Sequence, residues 1–339
     1  MKNRNIHKAV KIAVIGLGRI SFLLEKDKLR YKPCTHMGAL AQLRNQGYNL
    51  SFNYLCDIKK ERLSEAKEYL RSQNYDVSNS IFTENYKDIN YKIIDLLIIA
   101  SDTNTHFDAL LIGIRHNVPK IVIEKPILMS IKDVNKIKKY ILNSTSKIWV
   151  NYERRYHNAY NQIYKIINEK KNLGNALYYH GYLLTKAKSF LPQKDYEGLL
   201  LHDTTHLLDL IIYFFGNPKI YFSEKLNNDL HQINLHHNEN NVKGILTSVK
   251  NSEYFHFEIE IIFEFGRIRA GNGFYYIEKS KKSKYYSKFQ SLEANNKNLC
   301  KPMTARENPF NRLYKSVLDN KYQPGYFDDS LENIIILLS

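Results

Sequence analysis

Two histidines and a carboxylate in the run Leu-His-Asp-Thr-Thr-His-Leu-Leu-Asp-Leu are the residues best suited to chemistry. His202, His206 and Asp209 are spaced i, i+4 and i+7, which at 100° per residue places them on one line along an α-helix. The surrounding residues are apolar enough to bury this helix on most sides: Leu200, Leu201, Leu207, Leu208, Ile211, Ile212 and Phe215. A histidine can remove a proton from a hydroxyl group near neutral pH. We therefore expect a ligand or a partner group against this line.

A glycine-rich turn follows the first strand-like run, Ala-Val-Lys-Ile-Ala-Val-Ile. Gly16, Gly18 and Ser21 form Gly-x-Gly-x-x-Ser, which is typical of a dinucleotide-binding turn with a small residue in place of the third glycine. The first glycine permits a tight turn, and the second lets a pyrophosphate approach the backbone. Arg19 and Ile20 lie within the turn and are expected to contact the same ligand. Glycines also end strands for steric reasons, so the motif alone leaves both interpretations open.

Asp57 ends the second strand-like run and is the expected ligand of the ribose hydroxyls. It lies about 40 residues after the glycines rather than about 20, and a polar loop at residues 21–34, which contains Pro33, accounts for the surplus. A carboxylate at this position favours NAD over NADP as the cofactor. As an alternative, Asp57 caps the following helix, and the two roles are compatible.

Strand-like and helix-like segments alternate with short links up to residue 150 and then change their order. The alternation predicts an α/β fold with a Rossmann-type doubly wound parallel sheet over residues 1–150, whose ligand lies at the carboxyl ends of the strands. Residues 151–339 are expected to form a second, α+β domain with a largely antiparallel open sheet. This domain would bind the substrate. Its open sheet face would need covering, which predicts a homodimer or homotetramer.

The composition is that of a globular protein with a basic surface. The 339 residues carry a formal net charge of +16, but the basic residues are scattered and no RNA- or DNA-binding signature is present. We therefore expect a solvated surface that attracts anionic small substrates, with neither nucleic acid nor membrane as a partner. The lysine-rich residues 279–301 are expected to form a surface loop.

The cysteines and the hydropathy favour a cytoplasmic location. Cys34, Cys56 and Cys300 lie far apart without a CxxC pair, which argues against a disulfide framework or a zinc ribbon and fits a reducing cytoplasm. Lys11 and Arg19 interrupt the apolar run near the start of the sequence, which is unlike a signal peptide. No segment reaches the roughly 18 uninterrupted apolar residues of a membrane span.

The chain resembles the glucose-fructose oxidoreductase / inositol dehydrogenase / MocA family (Gfo/Idh/MocA) over about residues 9–220, and more weakly beyond. The segments that carry the resemblance are the glycine turn at residues 16–21, Asp57, Ser101-Asp102-Thr103-Asn104-Thr105-His106, Glu124-Lys125-Pro126, residues 151–156 and residues 198–209. Glu-Lys-Pro at a strand end, about 105 residues after a dinucleotide turn, is the most specific of these. The resemblance implies an NAD(P)-dependent oxidoreductase that acts on a sugar.

In the family, the lysine of Glu-Lys-Pro contacts the substrate hydroxyl and the nicotinamide ribose, which implies this role for Lys125. A cation at the carboxyl edge of the sheet can stabilise a developing alkoxide; the alternative is an ordinary surface lysine before a turn. Glu124 would steady the cofactor or the lysine, and the Lys125–Pro126 bond is expected to be cis. Further cofactor contacts are implied for Ser101, Thr103, Asn104 and His106. As an alternative, Asn104 and Thr105 merely cap the helix that begins at residue 106.

The family's Asp-x-x-x-His motif aligns with His202 and His206, so histidine replaces the aspartate here. The resemblance implies that His206 is the general acid/base, while His202 hydrogen-bonds the substrate or tunes His206. Asp203, about 100° around the helix, would be a poor substitute for the missing carboxylate. For both histidines the alternative is a satisfied core histidine. Contacts to an acidic or nucleotide-linked sugar are expected from Tyr152, Arg154, Arg155, Lys186 and Asp209, although Arg155 fits a domain-interface ion pair equally well.

The hypothesised reaction is hydride transfer between NAD, with NADP less favoured, and a secondary hydroxyl or keto group of a sugar or nucleotide sugar in surface-glycan biosynthesis. One alternative is a hydrolase or epimerase with a captive NAD. Another is a non-catalytic NAD-binding scaffold or sensor in which His202 marks a lost active site. A zinc site is a further rival, because His-Asp-Thr-Thr-His resembles His-Glu-x-x-His, but zinc needs a third ligand and we expect no metal.

Overall fold

The computed structural model describes residues 8–170, 172–193, 197–294, 307–323 and 326–339. The strands are β1 (Val10–Ile15), β2 (Leu50–Cys56), β3 (Ile81–Thr83), β4 (Leu96–Ile99), β5 (Lys120–Ile123), β6 (Lys147–Val150), β7 (Ala176–Leu184), β8 (Lys219–Lys225), β9 (Leu230–His237), β10 (Val242–Val249), β11 (His256–Phe263), β12 (Gly266–Gly271), β13 (Phe274–Lys282) and β14 (Gln290–Ala294). The α-helices are α1 (His36–Asn45), α2 (Lys60–Ser72), α3 (His106–Arg115), α4 (Ile131–Ile141), α5 (Asn158–Glu169), α6 (Thr205–Phe215), α7 (Pro309–Leu318) and α8 (Tyr326–Leu338). No helix in the described ranges is long and apolar enough to cross a membrane.

The first sheet has six parallel strands in the order β3-β2-β1-β4-β5-β6. This 3-2-1-4-5-6 order is that of a doubly wound dinucleotide-binding sheet, and it confirms the predicted Rossmann-type fold. Short apolar runs form these strands because helices cover both faces of the sheet; Ile12, Ala13 and Val14, for example, are completely buried. Ile15 pairs with Cys56 on one side and with Ile99 on the other, so three strand ends meet at one carboxyl edge.

The helix that follows the glycine turn is split by an insertion. Phe22 N–H donates to Gly18 O, and the chain then leaves the helix and rejoins it at His36, whose N–H donates to Ile20 O at 3.1 Å. His36 thus takes the place that residue 24 would have in an uninterrupted α-helix, and the difference between 36 and 24 is a twelve-residue insertion. Thr35 caps the resumed helix by accepting from Gly38 N–H. The predicted polar loop is confirmed, and it accounts for twelve of the roughly twenty additional residues between the glycines and Asp57.

The second sheet has eight strands in the order β14-β13-β12-β11-β7-β10-β9-β8. Its pairs are antiparallel except β7 with β10, which is parallel. Side chains alternate across it: Tyr179, Gly181 and Leu183 of β7 are buried on the face that packs against α6. The predicted α+β domain with a largely antiparallel sheet is confirmed.

The chain divides into two compact units, and the division differs from the predicted one. The sequence predicted domains at residues 1–150 and 151–339. In the structure the first unit ends at Glu153 and also takes in residues 303–328, whereas the second comprises 154–302 and 329–339. The first unit is therefore discontinuous, because α7 packs beside α1.

The lysine-rich residues 279–301 were expected to form a surface loop, which is confirmed for residues 283–289 but wrong for residues 279–282 and 290–294. Strand β13 continues through Lys282, and β14 returns over Gln290–Ala294. Residues 295–301 lie outside the described residues. The repeated serine and lysine obscured a strand whose pairing partners, β12 and β14, supply its hydrogen bonds.

His237 makes the stability of the second unit depend on pH. It is buried in β9, with Nδ1 2.8 Å from Gly216 O and Nε2 3.0 Å from the Tyr179 hydroxyl. Desolvation by burial lowers its pKa from 6.5 to about 4, despite the hydrogen bonds to backbone carbonyls. The unfolded chain then takes up a proton before the folded chain does, so the stability is fully present above pH 6.5 and falls as the pH drops towards the folded pKa.

We expect acidification from pH 7.5 to pH 5 to remove about 2 kcal/mol from the free energy of unfolding through His237 alone. Urea denaturation of the wild type and of His237→Gln at several pH values measures this contribution, because the difference between them cancels all other titrating groups. A difference that stays constant over this pH range would contradict the assignment.

Candidate functional site

A cavity of about 390 Å³ lies at the carboxyl ends of β1, β2 and β4, within the first unit. Its lining residues are Ile15, Gly16, Gly18, Arg19, Leu23, Cys56, Asp57, Ile58, Lys59, Arg62, Glu84, Tyr86, Ala100, Ser101, Asp102 and Thr105. Five of the residues predicted for the cofactor are thus brought together: Gly16, Gly18, Arg19, Asp57 and Ser101. The crevice at the carboxyl ends of the strands is where doubly wound sheets bind their ligands.

Gly16 and Gly18 of the turn differ in what an added side chain would meet. Gly16 adopts φ +87°, and a Cβ added there would collide with the backbone of Ser101 on the neighbouring strand end. A Cβ added at Gly18 would meet no atom within 4 Å. The first glycine is therefore needed for the fold, whereas the second leaves open space against the backbone, as a pyrophosphate site requires.

Asp57 fixes the glycine turn to the end of β2. Its Oδ2 accepts the Leu17 N–H at 2.8 Å, and its Oδ1 accepts the Lys59 N–H at 2.9 Å. The predicted alternative, a cap for the next helix, holds only in part: Lys59 is the capping residue of α2 and its own side chain makes no capping bond, but the Asp57 carboxylate accepts the Lys59 N–H. Each carboxylate oxygen keeps a lone pair that could accept a ribose hydroxyl.

The residues that the segment after β4 contributes to the cavity differ in part from those predicted. Asp102 caps the short 3-10 helix Thr103–Thr105 by accepting from Asn104 N–H, and Thr105 Oγ1 lies 2.6 Å from Ser101 Oγ. Asp102 and Thr105 line the cavity together with Ser101, whereas Thr103, Asn104 and His106 are not among its lining residues. Thr105 is the N-cap residue of α3, as the alternative predicted, but neither it nor Asn104 caps this helix with a side-chain hydrogen bond.

His106 is buried and connects two strand ends. Its Nδ1 lies 2.9 Å from Pro126 O and its Nε2 lies 3.2 Å from Ser101 O. A carbonyl oxygen only accepts, so in a neutral ring one of the two nitrogens donates at a time. His106 therefore positions the Glu-Lys-Pro turn against the end of β4. The Lys125–Pro126 bond in this turn is cis, as the sequence predicted.

Glu124 lies in a buried hydrogen-bond network that the sequence did not reveal. Its Oε1 accepts from Asn151 Nδ2 and lies 2.8 Å from His36 Nε2, while His36 Nδ1 lies 2.7 Å from the Tyr314 hydroxyl. Burial by itself raises the pKa of Glu124, but the hydrogen bonds from His36 and Asn151 and the charge of Lys125 outweigh it and hold that pKa below its usual value.

Glu124 determines the proton on one nitrogen of His36. An ionised Glu124 only accepts, so His36 donates through Nε2. Burial raises the pKa of Tyr314 well above its usual value, so its hydroxyl keeps its proton in the hydrogen bond with His36 Nδ1. A charged carboxylate is thereby fixed directly before the half-buried Lys125. Glu124 and Lys125 stand at the carboxyl end of β5, although neither lines the cavity. The half-buried Ile20 joins this region only through its carbonyl, which accepts from His36 N–H.

The helix with the two histidines belongs to the second unit and begins irregularly. Residues Leu200–Thr204 are π-helical, and the regular α6 begins only at Thr205. The predicted straight line of His202, His206 and Asp209 assumed α-helical spacing throughout and is wrong in this respect. π-helical turns are wide, are rare, and often occur at functional sites.

Asp209 is occupied by an ion pair and is not open to a ligand. Arg155 Nε donates to both carboxylate oxygens of Asp209, at 2.9 and 2.8 Å, and Nη2 donates to the Asp209 carbonyl. Both side chains are buried in the second unit. The prediction that they contact a substrate is therefore replaced by a structural role, and the pair lies within one unit rather than between two.

The two histidines differ in their surroundings. His206 is 9 % exposed, whereas the side chain of His202 is 45 % exposed. His202 Nδ1 lies 2.9 Å from Asp203 Oδ1, and Nε2 lies 3.9 Å from Glu197 Oε2. Asp203 thus contacts the ring of His202 itself, and its poor fit as a substitute for the missing carboxylate stays a prediction. His202 therefore has carboxylates on both sides.

The remaining predicted substrate residues lie in different environments. Arg154 stacks over the Phe257 ring at 3.7 Å, and its Nη1 donates to Asn272 Oδ1 at 3.0 Å. Lys186 is exposed and lies 3.5 Å from Glu253. Tyr152 is completely buried, so it could contact a ligand only after a rearrangement. Among the described residues no group of three or more His, Cys, Asp and Glu is arranged to hold a metal ion.

Comparison with known proteins gives a family and a fold. Residues 10–152 match the GFO_IDH_MocA family, described as "Oxidoreductase family, NAD-binding Rossmann fold". The chain is 23% identical over 215 residues to scyllo-inositol 2-dehydrogenase (NAD(+)) of Bacillus subtilis (strain 168), which covers 61% of this chain and 54% of that protein. The alignment thus spans about half the length of this relative.

Two solved structures share the fold over nearly the whole chain. Levoglucosan dehydrogenase in complex with NADH superposes with a TM-score of 0.72 at 14% identity, covering 97% of this chain and 95% of that one. An oxidoreductase from Agrobacterium radiobacter in complex with NAD+, L-tartaric acid and magnesium superposes with a TM-score of 0.67 at 14% identity, covering 98% and 95%. At such identities the likeness shows the fold alone.

Proposed function

We propose that this chain, whose residues 10–152 match the NAD-binding domain of the Gfo/Idh/MocA oxidoreductase family, transfers a hydride between NAD and a secondary hydroxyl or keto group of a sugar or polyol. The observation that carries this proposal is the cavity in which the glycine turn, Asp57 and Ser101 converge. The finer substrate, a nucleotide-linked or acidic sugar used in surface-glycan synthesis in the cytoplasm, is part of the same proposal.

The residues of the cavity fit NAD. The open space at Gly18 admits the pyrophosphate, and the exposed Arg19 beside it would offset part of the pyrophosphate charge. Asp57, held by Leu17 and Lys59, presents its carboxylate to ribose hydroxyls, which favours NAD over a 2′-phosphorylated cofactor. When bound there, NAD supplies the hydride acceptor of the reaction.

The protein's own groups would handle the proton and the charge. Lys125 would bind the reacting hydroxyl oxygen and stabilise the alkoxide that develops as the proton leaves. Glu124, kept ionised by its network, and His106, which holds Pro126, would keep the Glu-Lys-Pro turn in place. His206 would remove the hydroxyl proton as a general base.

The departure at His202 suggests how this chain does without the family's aspartate. Asp203 and Glu197 bring carboxylates to within 2.9 and 3.9 Å of the His202 ring, so negative charge is present beside this position although histidine stands there. We propose that His202 hydrogen-bonds the substrate through its exposed edge. Arg154 would contribute to binding an acidic group.

Self-association through the second sheet remains part of the proposal. The face opposite α6 carries the half-buried Tyr178, His180 and Tyr182 of β7, and a second copy would cover them. A homodimer or homotetramer is the expected assembly.

Two measurements test the function. Mass spectrometry identifies the cofactor that co-purifies with the chain. A screen of sugars, polyols and nucleotide sugars then detects turnover as an absorbance change at the nicotinamide band.

The matched variant for cofactor binding is Gly18→Ala. We expect it to keep the free energy of unfolding within about 1 kcal/mol, since its Cβ meets no atom, and to bind NAD at least about tenfold more weakly. Ser64→Ala, an exposed change on α2, is the control.

Each outcome separates the alternatives. Net NADH formation with a sugar supports the dehydrogenase. Tightly held NAD, with substrate conversion but without NADH release, would instead identify a hydrolase or epimerase. NAD binding that Gly18→Ala weakens, with every sugar unchanged, would identify a scaffold. Unaltered NAD binding in Gly18→Ala would remove the cavity as the cofactor site.

A further inference from the structure

The turn between β13 and β14 collects positive charge at one end of the second sheet. Five lysines lie within residues 279–290, and this stretch contains no Asp or Glu: Lys279, Lys281, Lys282, Lys284 and Lys288. Because β13 and β14 pair from Glu278 to Lys282 and from Gln290 to Ala294, the two ends of the stretch are held side by side. These five lysines are thus concentrated in one hairpin.

The tip of this hairpin is an ordered turn. Ser283 N–H donates to Phe289 O at 2.9 Å and closes the loop. The N–H groups of Tyr285 and Tyr286 both donate to Ser283 Oγ at 3.2 Å. These bonds fix the backbone of both tyrosines and so determine the direction in which their rings leave the turn.

Three aromatic rings project from this tip. Tyr285 is 86%, Tyr286 67% and Phe289 67% exposed. The Tyr286 and Phe289 rings lie edge to face, with centroids 6.4 Å apart. Exposed apolar groups in a cluster mark a contact surface more often than single exposed residues do. The tip therefore combines an apolar apex with lysines on the strands beside it.

We propose that this hairpin binds the surface of an anionic phospholipid bilayer. Tyrosine and phenylalanine rings partition into the interface between headgroups and acyl chains, where an amphipathic ring is well solvated. Lysines beside them are attracted to anionic headgroups while their alkyl stems lie along the apolar region. The attachment would be peripheral, and it departs from the expectation, drawn from the overall charge pattern, that a membrane is not a partner.

The charge and the shape of the hairpin tip favour a bilayer over two other partners, a second copy of the chain and single-stranded nucleic acid. A second copy of the chain carries the same five lysines and a formal net charge of +16, so the tips of two copies repel each other. Single-stranded nucleic acid is bound in grooves that follow its backbone. Residues 284–290 are all exposed and form a projecting tip without such a groove.

Co-sedimentation of the full chain with vesicles tests the proposal. We expect binding to phosphatidylcholine vesicles that contain about one third phosphatidylglycerol, no binding to phosphatidylcholine alone, and weaker binding when salt rises from about 0.1 M to about 0.5 M. A triple variant with Tyr285→Ser, Tyr286→Ser and Phe289→Ser should lower the affinity for the anionic vesicles at least about tenfold. A triple variant with Lys282→Gln, Lys284→Gln and Lys288→Gln should lower this affinity about 100-fold, at about fivefold per lysine.

Matched variants elsewhere control for composition and net charge. Tyr221, Tyr254 and Phe255 are also exposed, and their combined change to serine alters the same residue types outside the hairpin. Lys87, Lys92 and Lys139 are exposed on the first unit, and their change to glutamine removes the same charge. Both controls should bind vesicles like the wild type, and circular dichroism should show that all variants fold.

Three results would overturn the proposal. The first is equal vesicle binding by the hairpin variants and the wild type. The second is no binding to the anionic vesicles at the lower salt concentration. The third is displacement of the vesicles by a single-stranded RNA oligomer that the hairpin variants no longer bind, which would assign the tip to nucleic acid.

Discussion

Lys125→Met lowers kcat/KM for the hydroxyl substrate about 10³-fold and changes the Kd of NAD by less than about tenfold: this is the result we expect for the group that stabilises the alkoxide. Loss of one preorganised electrostatic contact to an oxyanion typically costs 10²–10³-fold in rate. Methionine keeps an unbranched stem of similar length, so the Glu124 network beside it can remain intact. Steady-state kinetics and NAD titration measure the two quantities.

Lys92→Met, an exposed lysine of the same unit, is the matched control and should leave both quantities unchanged. The proposed role of Lys125 is untenable if the variant retains most of its turnover. If instead NAD affinity falls by the same factor as kcat/KM, Lys125 acts through the cofactor and not on the substrate oxygen.

Asp209→Leu should destabilise the second unit by about 3–5 kcal/mol, because it leaves the Arg155 guanidinium buried without its counter-charge. The double variant Arg155→Met with Asp209→Leu should recover most of this loss, since a buried ion pair and an apolar pair of similar volume are often close in stability. Urea denaturation midpoints of the single and double variants provide the thermodynamic cycle.

The opposite pattern would restore the role in substrate binding that the sequence suggested for these residues. If Asp209→Leu unfolds at the same urea concentration as the wild type but raises KM, the carboxylate serves a ligand and not the fold. The coupling energy between the two positions would then be close to zero.

The parallel sheet could be predicted because its information is local. Apolar β-branched runs, glycine turns and amphipathic helices alternate in the sequence, and the insertion after Ser21 has its own signal in polar residues and Pro33. Strand β9 has a weaker signal in the sequence, because His237 occupies a buried position in the same alternation as Ile233 and Leu235, and a polar residue there conceals the period.

Most contacts of the candidate site could not be predicted from the sequence, because they join distant residues or depend on irregular backbone. The hydrogen bond between His36 and Tyr314 spans 278 positions, and no pattern near Tyr314 indicates it. Arg155 was identified as a possible ion-pair partner from its type, but its distance to Asp209 depends on the fold. The π-helical turn at Leu200–Thr204 has no signal in the sequence.

The discontinuous first unit has a consequence for how the protein is made. Its sheet is complete in the nascent chain once residue 150 has been synthesised, yet α7, which supplies Tyr314 and contacts α1, follows only after residues 154–302 of the second unit. Until then His36 lacks the Tyr314 hydroxyl that it hydrogen-bonds through Nδ1. The network around the Glu124 carboxylate is therefore completed only after most of the second unit has been synthesised.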